Sequence, residues 1–90
     1  MHYEWDENKR AANIAKHGVD FADAELFDWA SAVESQDDRA QYGEERFVAI
    51  GLIGKRLHIL IYTKRGLAIR LISMRRANKR EKEFYEKTQT

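Results

Sequence analysis

Residues 46–74 read RFVAIGLIGKRLHILIYTKRGLAIRLISM, and this stretch decides the fold. Arg46 to Ile53 alternates, with Val48, Ile50 and Leu52 on one face and Phe47, Ala49 and Ile53 on the other. Gly54-Lys55 has the composition of a two-residue type II′ turn. Arg56 to Lys64 supplies the next strand, with Leu57, Ile59 and Ile61 opposed to His58, Leu60 and Tyr62. Arg65-Gly66 turns the chain again, and Leu67 to Met74 forms a third strand. In that strand Leu67, Ile69 and Leu71 face one way and Ala68, Arg70 and Ile72 the other. Period-two patterning broken by glycine turns predicts an antiparallel β-meander. Both of its faces carry apolar side chains, so helices are expected over most of one face and part of the other.

Outward from the meander, the flanks read as helices. Tyr3 to Trp5 fits a short strand. Asp6 is an N-cap for a helix over Glu7–His17, and Gly18 supplies its left-handed stop. On that helix Lys9, Asn13, Lys16 and His17 share one arc, with Ala11, Ile14 and Ala15 opposite, which predicts a small-residue core face and a basic-polar face. Asp20, with Asp23 three residues on, starts a second helix expected to run to about Trp29. Ala32 to Gln36 fits a strand, and Asp37 to Glu44 a polar loop. At the C-terminal end, Asn78 and Glu81 form a capping box for a last helix anchored by Phe84 and Tyr85. The expected class is α+β in one domain spanning 1–90.

Composition narrows the chemistry. Ninety residues suffice for one domain. The absence of cysteine removes disulfides and thiolate metal ligands. No apolar run approaches a membrane span, and the first residues lack the pattern of a signal peptide, so a cytoplasmic protein with no membrane association is expected. The net charge of +1 conceals a polarised chain: residues 20–45 sum to −8, with Arg39 as their one basic residue, and residues 55–82 sum to +9. A basic lobe of that kind suits a polyanion, or else the two lobes neutralise each other across the fold.

His2, His17 and His58 are scattered and none has metal-ligand spacing, so neither metal nor other cofactor is expected. Lys16-His17 closes the first helix, where the dipole favours a protonated imidazole that titrates near neutral pH and exchanges protons with a phosphodiester. The alternative is an ordinary C-terminal pair that satisfies end carbonyls. Arg70 sits mid-strand among apolar residues, where a charge grips a phosphate or joins a salt bridge to a helix carboxylate. Arg75, Arg76, Lys79, Arg80 and Lys82 extend the basic run; for the last three a solvated helix face is the simpler account. Glu81 caps its helix or completes a site, Tyr85 reaches the same groove or packs, and His58 and Tyr62 share a strand face that lines a site or the core.

Taken in order, these positions resemble the BrnT family of bacterial toxins. The matching residues are Trp5-Asp6, Lys9, Asn13, Lys16-His17-Gly18-Val19, Phe21 and Ala24, then Arg46 and Gly51, then Ile69-Arg70, Ile72-Ser73, Arg75, Ala77, Glu81 and Tyr85. Met74 stands where many relatives carry a small residue. The resemblance implies a RelE-like fold, a ribonuclease that inhibits translation, and a cognate BrnA-like antitoxin in a heterotetramer of two toxins and two antitoxins. It also implies that DNA is bound only through the antitoxin. On that basis Lys16, His17, Arg70, Arg75, Glu81 and Tyr85 are the expected catalytic residues, with Lys9, Arg46, Arg76, Lys79 and Arg80 on the RNA phosphates. The implied reaction is metal-independent attack by a 2′-hydroxyl, leaving a 2′,3′-cyclic phosphate. Two other functions compete: a non-catalytic RNA- or protein-binding module using the same groove, and a DNA-binding regulator, for which no basic recognition helix is evident.

Overall fold

The structure is a computed structural model that describes residues 1–39, 41 and 43–90. In chain order it contains β1 (His2–Glu4), α1 (Glu7–His17), a 3₁₀ helix (Phe21–Leu26), β2 (Val33–Asp37), β3 (Arg46–Ile53), β4 (Arg56–Arg65), β5 (Ala68–Arg76) and α2 (Lys79–Thr88). The strands form one five-stranded sheet in the order β1-β5-β4-β3-β2. The meander pairs antiparallel as expected, but β1 joins β5 in parallel, so the sheet is mixed and the class is α+β.

Local chemistry sets the ends of the elements. The Asp6 carboxylate accepts from the Asn8 and Lys9 amides, and Gly18 at φ +71° closes α1 by donating to Ile14. Asn78 and Glu81 make the reciprocal capping box that opens α2. Four expectations shift. The first strand is His2–Glu4 rather than Tyr3–Trp5. The second helix is a 3₁₀ helix ending at Leu26, short of Trp29, because Phe21, Ala24 and Phe27 bury at a spacing of three. β2 begins at Val33 and takes in Asp37; the loop expected over 37–44 includes residues 40 and 42, which lie outside the described residues. The last turn is Gly66-Leu67 rather than Arg65-Gly66, since Gly66 at φ +59° takes its first position and leaves Leu67 fully exposed.

Each sheet face has its own core. The back face buries Ala49, Leu60, Tyr62, Ile69, Leu71 and Met74 against Val19, Phe21, Ala24 and Phe27. Tyr3 and Trp5 close its rim, and Tyr62, far from any site, donates to Glu34. Gly51 is what lets Phe27 lie on β3: a Cβ there would meet the ring at 2.5 Å. The front face buries Leu57, Ile59 and Ala77 under Tyr85 of α2, while Val48, Ile50 and Ile61 are only partly covered.

The main correction concerns α1. Asn13 is its buried residue, and Ala11, Ile14 and Ala15 are exposed, so the basic-polar stripe, not the small-residue face, is the one that docks. The reason is the edge of the sheet. β1 pairs only with residues 68–70, which leaves the β5 backbone beyond them without a strand on the edge away from β4. Asn13 fills the gap: its Oδ1 accepts from the Met74 amide at 3.1 Å, and its Nδ2 donates to the Met74 and Val19 carbonyls at 2.8 and 2.9 Å. A primary carboxamide thus does for Met74 what a strand peptide does elsewhere.

β5 also carries a bulge. Ser73 pairs with Ile61 and Leu71 with Tyr62, so Ile72 is the extra residue. Strict alternation would put Arg70 and Arg75 on opposite faces. With the bulge they oppose Thr63 and Ile59, four residues apart on β4, and therefore share the front face.

Two stability predictions follow from these contacts. Asn13→Leu strands three buried polar groups and should cost about 2–3 kcal/mol. Asn13→Asp should not rescue it, because the carboxylate faces two carbonyl oxygens. Gly51→Ala should cost about 1–3 kcal/mol by forcing the Phe27 ring off the strand. Denaturant midpoints at unchanged m-values are the check; wild-type midpoints would refute these contacts.

Candidate active site on the front face of the sheet

The front face is open where α2 does not cover it, and two neighbouring hollows lie there. The first, about 300 Å³, has Lys9, Lys16 and His17 of α1 over Ile72 and Ser73. The second, about 270 Å³, has Arg75, Glu81, Asp37 and Arg39 around the apolar floor of Val48, Ile50, Ile59 and Ile61. The β5 segment 72–75 runs between them and contributes to both.

The first hollow exists because of how α1 docks. With Asn13 pinned to Met74, the side chains one turn before and one turn after it, Lys9 and Lys16-His17, come over the bulged segment. Neither lysine makes an ion pair among the described residues. His17 is driven below its ordinary pKa, first by desolvation, then by the charges of Lys16 and Arg75. This runs against the expectation of dipole-favoured protonation: partial burial and then two neighbouring cations disfavour the charged imidazole.

In the second hollow Arg75 and Glu81 form a two-point ion pair, with both N–O distances 2.8 Å. Glu81 Oε1 also accepts from the Asn78 amide at 2.9 Å, so one carboxylate caps α2 and orients the guanidinium. The Arg75 hydrogen bonds lower the Glu81 pKa and raise that of Arg75. This pair holds two of the five guanidinium N–H donors and the Arg76 carbonyl takes a third at 3.4 Å, so Arg75 keeps two donors for an anion. Across the floor, Asp37 is held below the usual carboxylate range by Arg39, which bonds it at 2.8 and 2.9 Å.

The remaining expected site residues lie elsewhere. Arg70 shares the front face but lines neither hollow; its partner is Glu4 of β1 at 3.6 Å, a strand carboxylate rather than a helical one. Arg46 is cross-strand from Asp37, whose carboxyl feels its charge. Lys79 and Arg80 are exposed on the first turn of α2, and Arg76 lines a separate hollow. Tyr85 does not reach the groove: it is buried at the far end of the face and donates to the Ser31 carbonyl at 2.9 Å. Lys16, Arg70 and Arg75 therefore share one sheet face without sharing a single cavity. Sequence reasoning passed over Arg39, Asp37 and Ser73 as lining residues. Arg39 had a signal, as the lone cation of the acidic stretch 20–45, and Ser73 stood in the C-terminal string that carries the resemblance; Asp37 had none.

Among the described residues no group of three or more His, Cys, Asp or Glu is arranged to hold a metal ion, and no helix is long and apolar enough to cross a membrane. The site sets the His17 imidazole, whose charged form is disfavoured, beside two ammonium groups, with an oriented guanidinium nearby. Groups of these kinds can accept a proton and neutralise an anion, which are the tasks phosphodiester chemistry sets. Comparison with protein families agrees: the profile described as "Ribonuclease toxin, BrnT, of type II toxin-antitoxin system" matches residues 5–81. The chain belongs to that family, whose members are ribonuclease toxins and whose type II systems pair each toxin with an antitoxin. A comparison with curated proteins gives no match.

His17 should titrate below its ordinary value of 6.5 in an NMR pH series. Lys16→Met and Arg75→Ala should each move that titration upward, since each removes a positive charge. A His17 titration at or above 6.5, or one insensitive to both substitutions, contradicts this electrostatic account.

Proposed function

We propose that the protein cleaves RNA on the flank of β5 without a metal ion, using the ribose 2′-hydroxyl as nucleophile, and that it does so as a RelE-like translation inhibitor. The observation that carries this reading is the meeting of Lys9, Lys16 and His17 with Arg75 on either side of residues 72–75. Attack by the 2′-oxygen is intramolecular, so the protein need only orient the backbone, move two protons and stabilise the phosphorane.

In this scheme neutral His17 takes the 2′-hydroxyl proton. The 2′-oxygen then bonds to phosphorus, and the 5′-oxygen leaves with a proton delivered by Lys16 or by water. The products are a 2′,3′-cyclic phosphate and a free 5′-hydroxyl. Arg75, oriented by Glu81, donates to the non-bridging oxygens as their charge grows. Lys9 holds an adjacent phosphate, and Arg70 supports the strand at one remove through Glu4. A BrnA-like antitoxin, joined as two toxins with two antitoxins and supplying the DNA contact, is the partner that fits this reading. One domain over 1–90, acting in the cytoplasm, completes it.

The test is RNA incubated with purified protein in EDTA. We expect fragments ending in cyclic phosphate, a rate about 100-fold lower for Arg75→Ala, and no cleavage of a 2′-deoxy substrate. Below pH 6.5 the rate should fall as pH falls, because His17 gains the proton that disables it as a base. Intact RNA under these conditions favours the non-catalytic binding module, and equal cleavage of the deoxy substrate removes the 2′-hydroxyl step.

A further inference from the structure

A third hollow, about 480 Å³, lies at the opposite end of the front face, between the β3–β4 turn and α2. It shares no lining residue with the two hollows of the candidate site. Its floor is apolar, made by Leu52, Leu57 and Ala77. Four exposed cations, Lys55, Arg56, Arg76 and Lys82, surround that floor, and Glu86 is the one acidic residue in the lining.

As in the first hollow, the cations here lack ion-pair partners among the described residues. Arg10, Arg39, Lys64, Arg65, Arg70 and Arg75 each have a carboxylate partner within 3.6 Å. None of the four cations around the third hollow has one among the described residues. Four uncompensated charges on a rim repel each other, and an acidic partner relieves that repulsion.

We propose that this hollow is the docking site for an acidic, amphipathic segment of the antitoxin, with an apolar side chain on the floor and carboxylates against the rim. The proposal rests on the toxin–antitoxin reading of the family. The hollow is within the size range of sites that seat apolar groups, and an apolar centre with a charged rim is the anatomy of a protein interface. Single-stranded RNA fits it less well. The one aromatic ring in the lining, Tyr85, is buried with its hydroxyl spent on Ser31, so no ring face is open for a base to stack on. Docking there would leave the hollows at His17 and Arg75 uncovered, so this segment serves as an anchor, and inhibition requires another part of the antitoxin to reach the β5 flank.

The experiment measures affinity of the full-length toxin for its antitoxin by calorimetry, alongside RNA cleavage by the free toxin. Lys55→Glu/Lys82→Glu should weaken antitoxin binding at least tenfold while the cleavage rate stays within twofold. Arg75→Ala should show the converse balance, with cleavage about 100-fold slower and antitoxin affinity reduced less than by the charge reversal. Wild-type affinity should fall as salt rises. If the double variant fails to fold by thermal melt, Lys55→Gln in the exposed turn carries the test, with a loss of about threefold. Unchanged antitoxin affinity overturns the proposal; so does a rise in KM for RNA in the charge-reversed protein, which assigns the hollow to RNA. A wild-type protein that cuts no RNA would sink the ribonuclease reading alone, since the calorimetric affinities still report on docking.

Discussion

The Asn13 carboxamide bound to the Met74 backbone is the contact on which the rest of this molecule depends. β1 is three residues long, and past its end β5 is an edge strand with unsatisfied peptide groups in the middle of the fold. One side chain satisfies Met74 in both directions and reaches back to Val19, at the start of the segment that packs on the rear of the sheet. The same three bonds fix the axial position and rotation of α1. Everything α1 contributes to the candidate site, from Lys9 to His17, inherits that placement.

A second constraint comes from β5 itself. The extra residue at Ile72 changes the parity of the strand, so that Arg70 and Arg75 look out from one face while Leu71 and Met74 stay in the rear core. Without it Arg75 would compete with the rear core for space or would carry Met74 to the front. Bulges commonly re-aim a side chain beside a working surface. Here the bulged segment is also the one Asn13 clamps, so the irregular backbone is held from the helix side. Glu81 holds Arg75 from the other side, and its second duty as a helix cap ties the orientation of the guanidinium to the start of α2.

Much of this was legible in the sequence where the controlling physics is local. Asp6, Gly18, Asn78 and Glu81 announce helix ends through hydrogen bonds spanning two to four residues. The alternation of residues 46–74 announces the meander. What could not be read depends on neighbours distant in sequence. Asn13 in a stripe with Lys9 and Lys16 looks like a solvated residue until β5 is seen to lack a partner, 61 residues away. The bulge leaves no mark in the letters Leu71-Ile72-Ser73, each of which suits a strand. Tyr85 looked available for the groove because its spacing from Glu81 is one helical turn, yet the turn carries it to the far end of the face and onto Ser31. The charge of residues 55–82 was plain as a sum, but the sum conceals that Lys64, Arg65, Arg70 and Arg75 are paired with carboxylates while Lys55, Arg56, Arg76 and Lys82 gather without ion pairs, among the described residues, around one hollow.

The most direct measurement is the footprint of an uncleavable RNA, such as a 2′-O-methyl oligonucleotide, on the amide spectrum of the protein. If α1 and the bulged strand together make the working surface, the perturbed amides will cluster at Lys9, Lys16, His17 and residues 72–75. Perturbations gathered around the β3–β4 turn and Lys82, with α1 silent, would contradict the account.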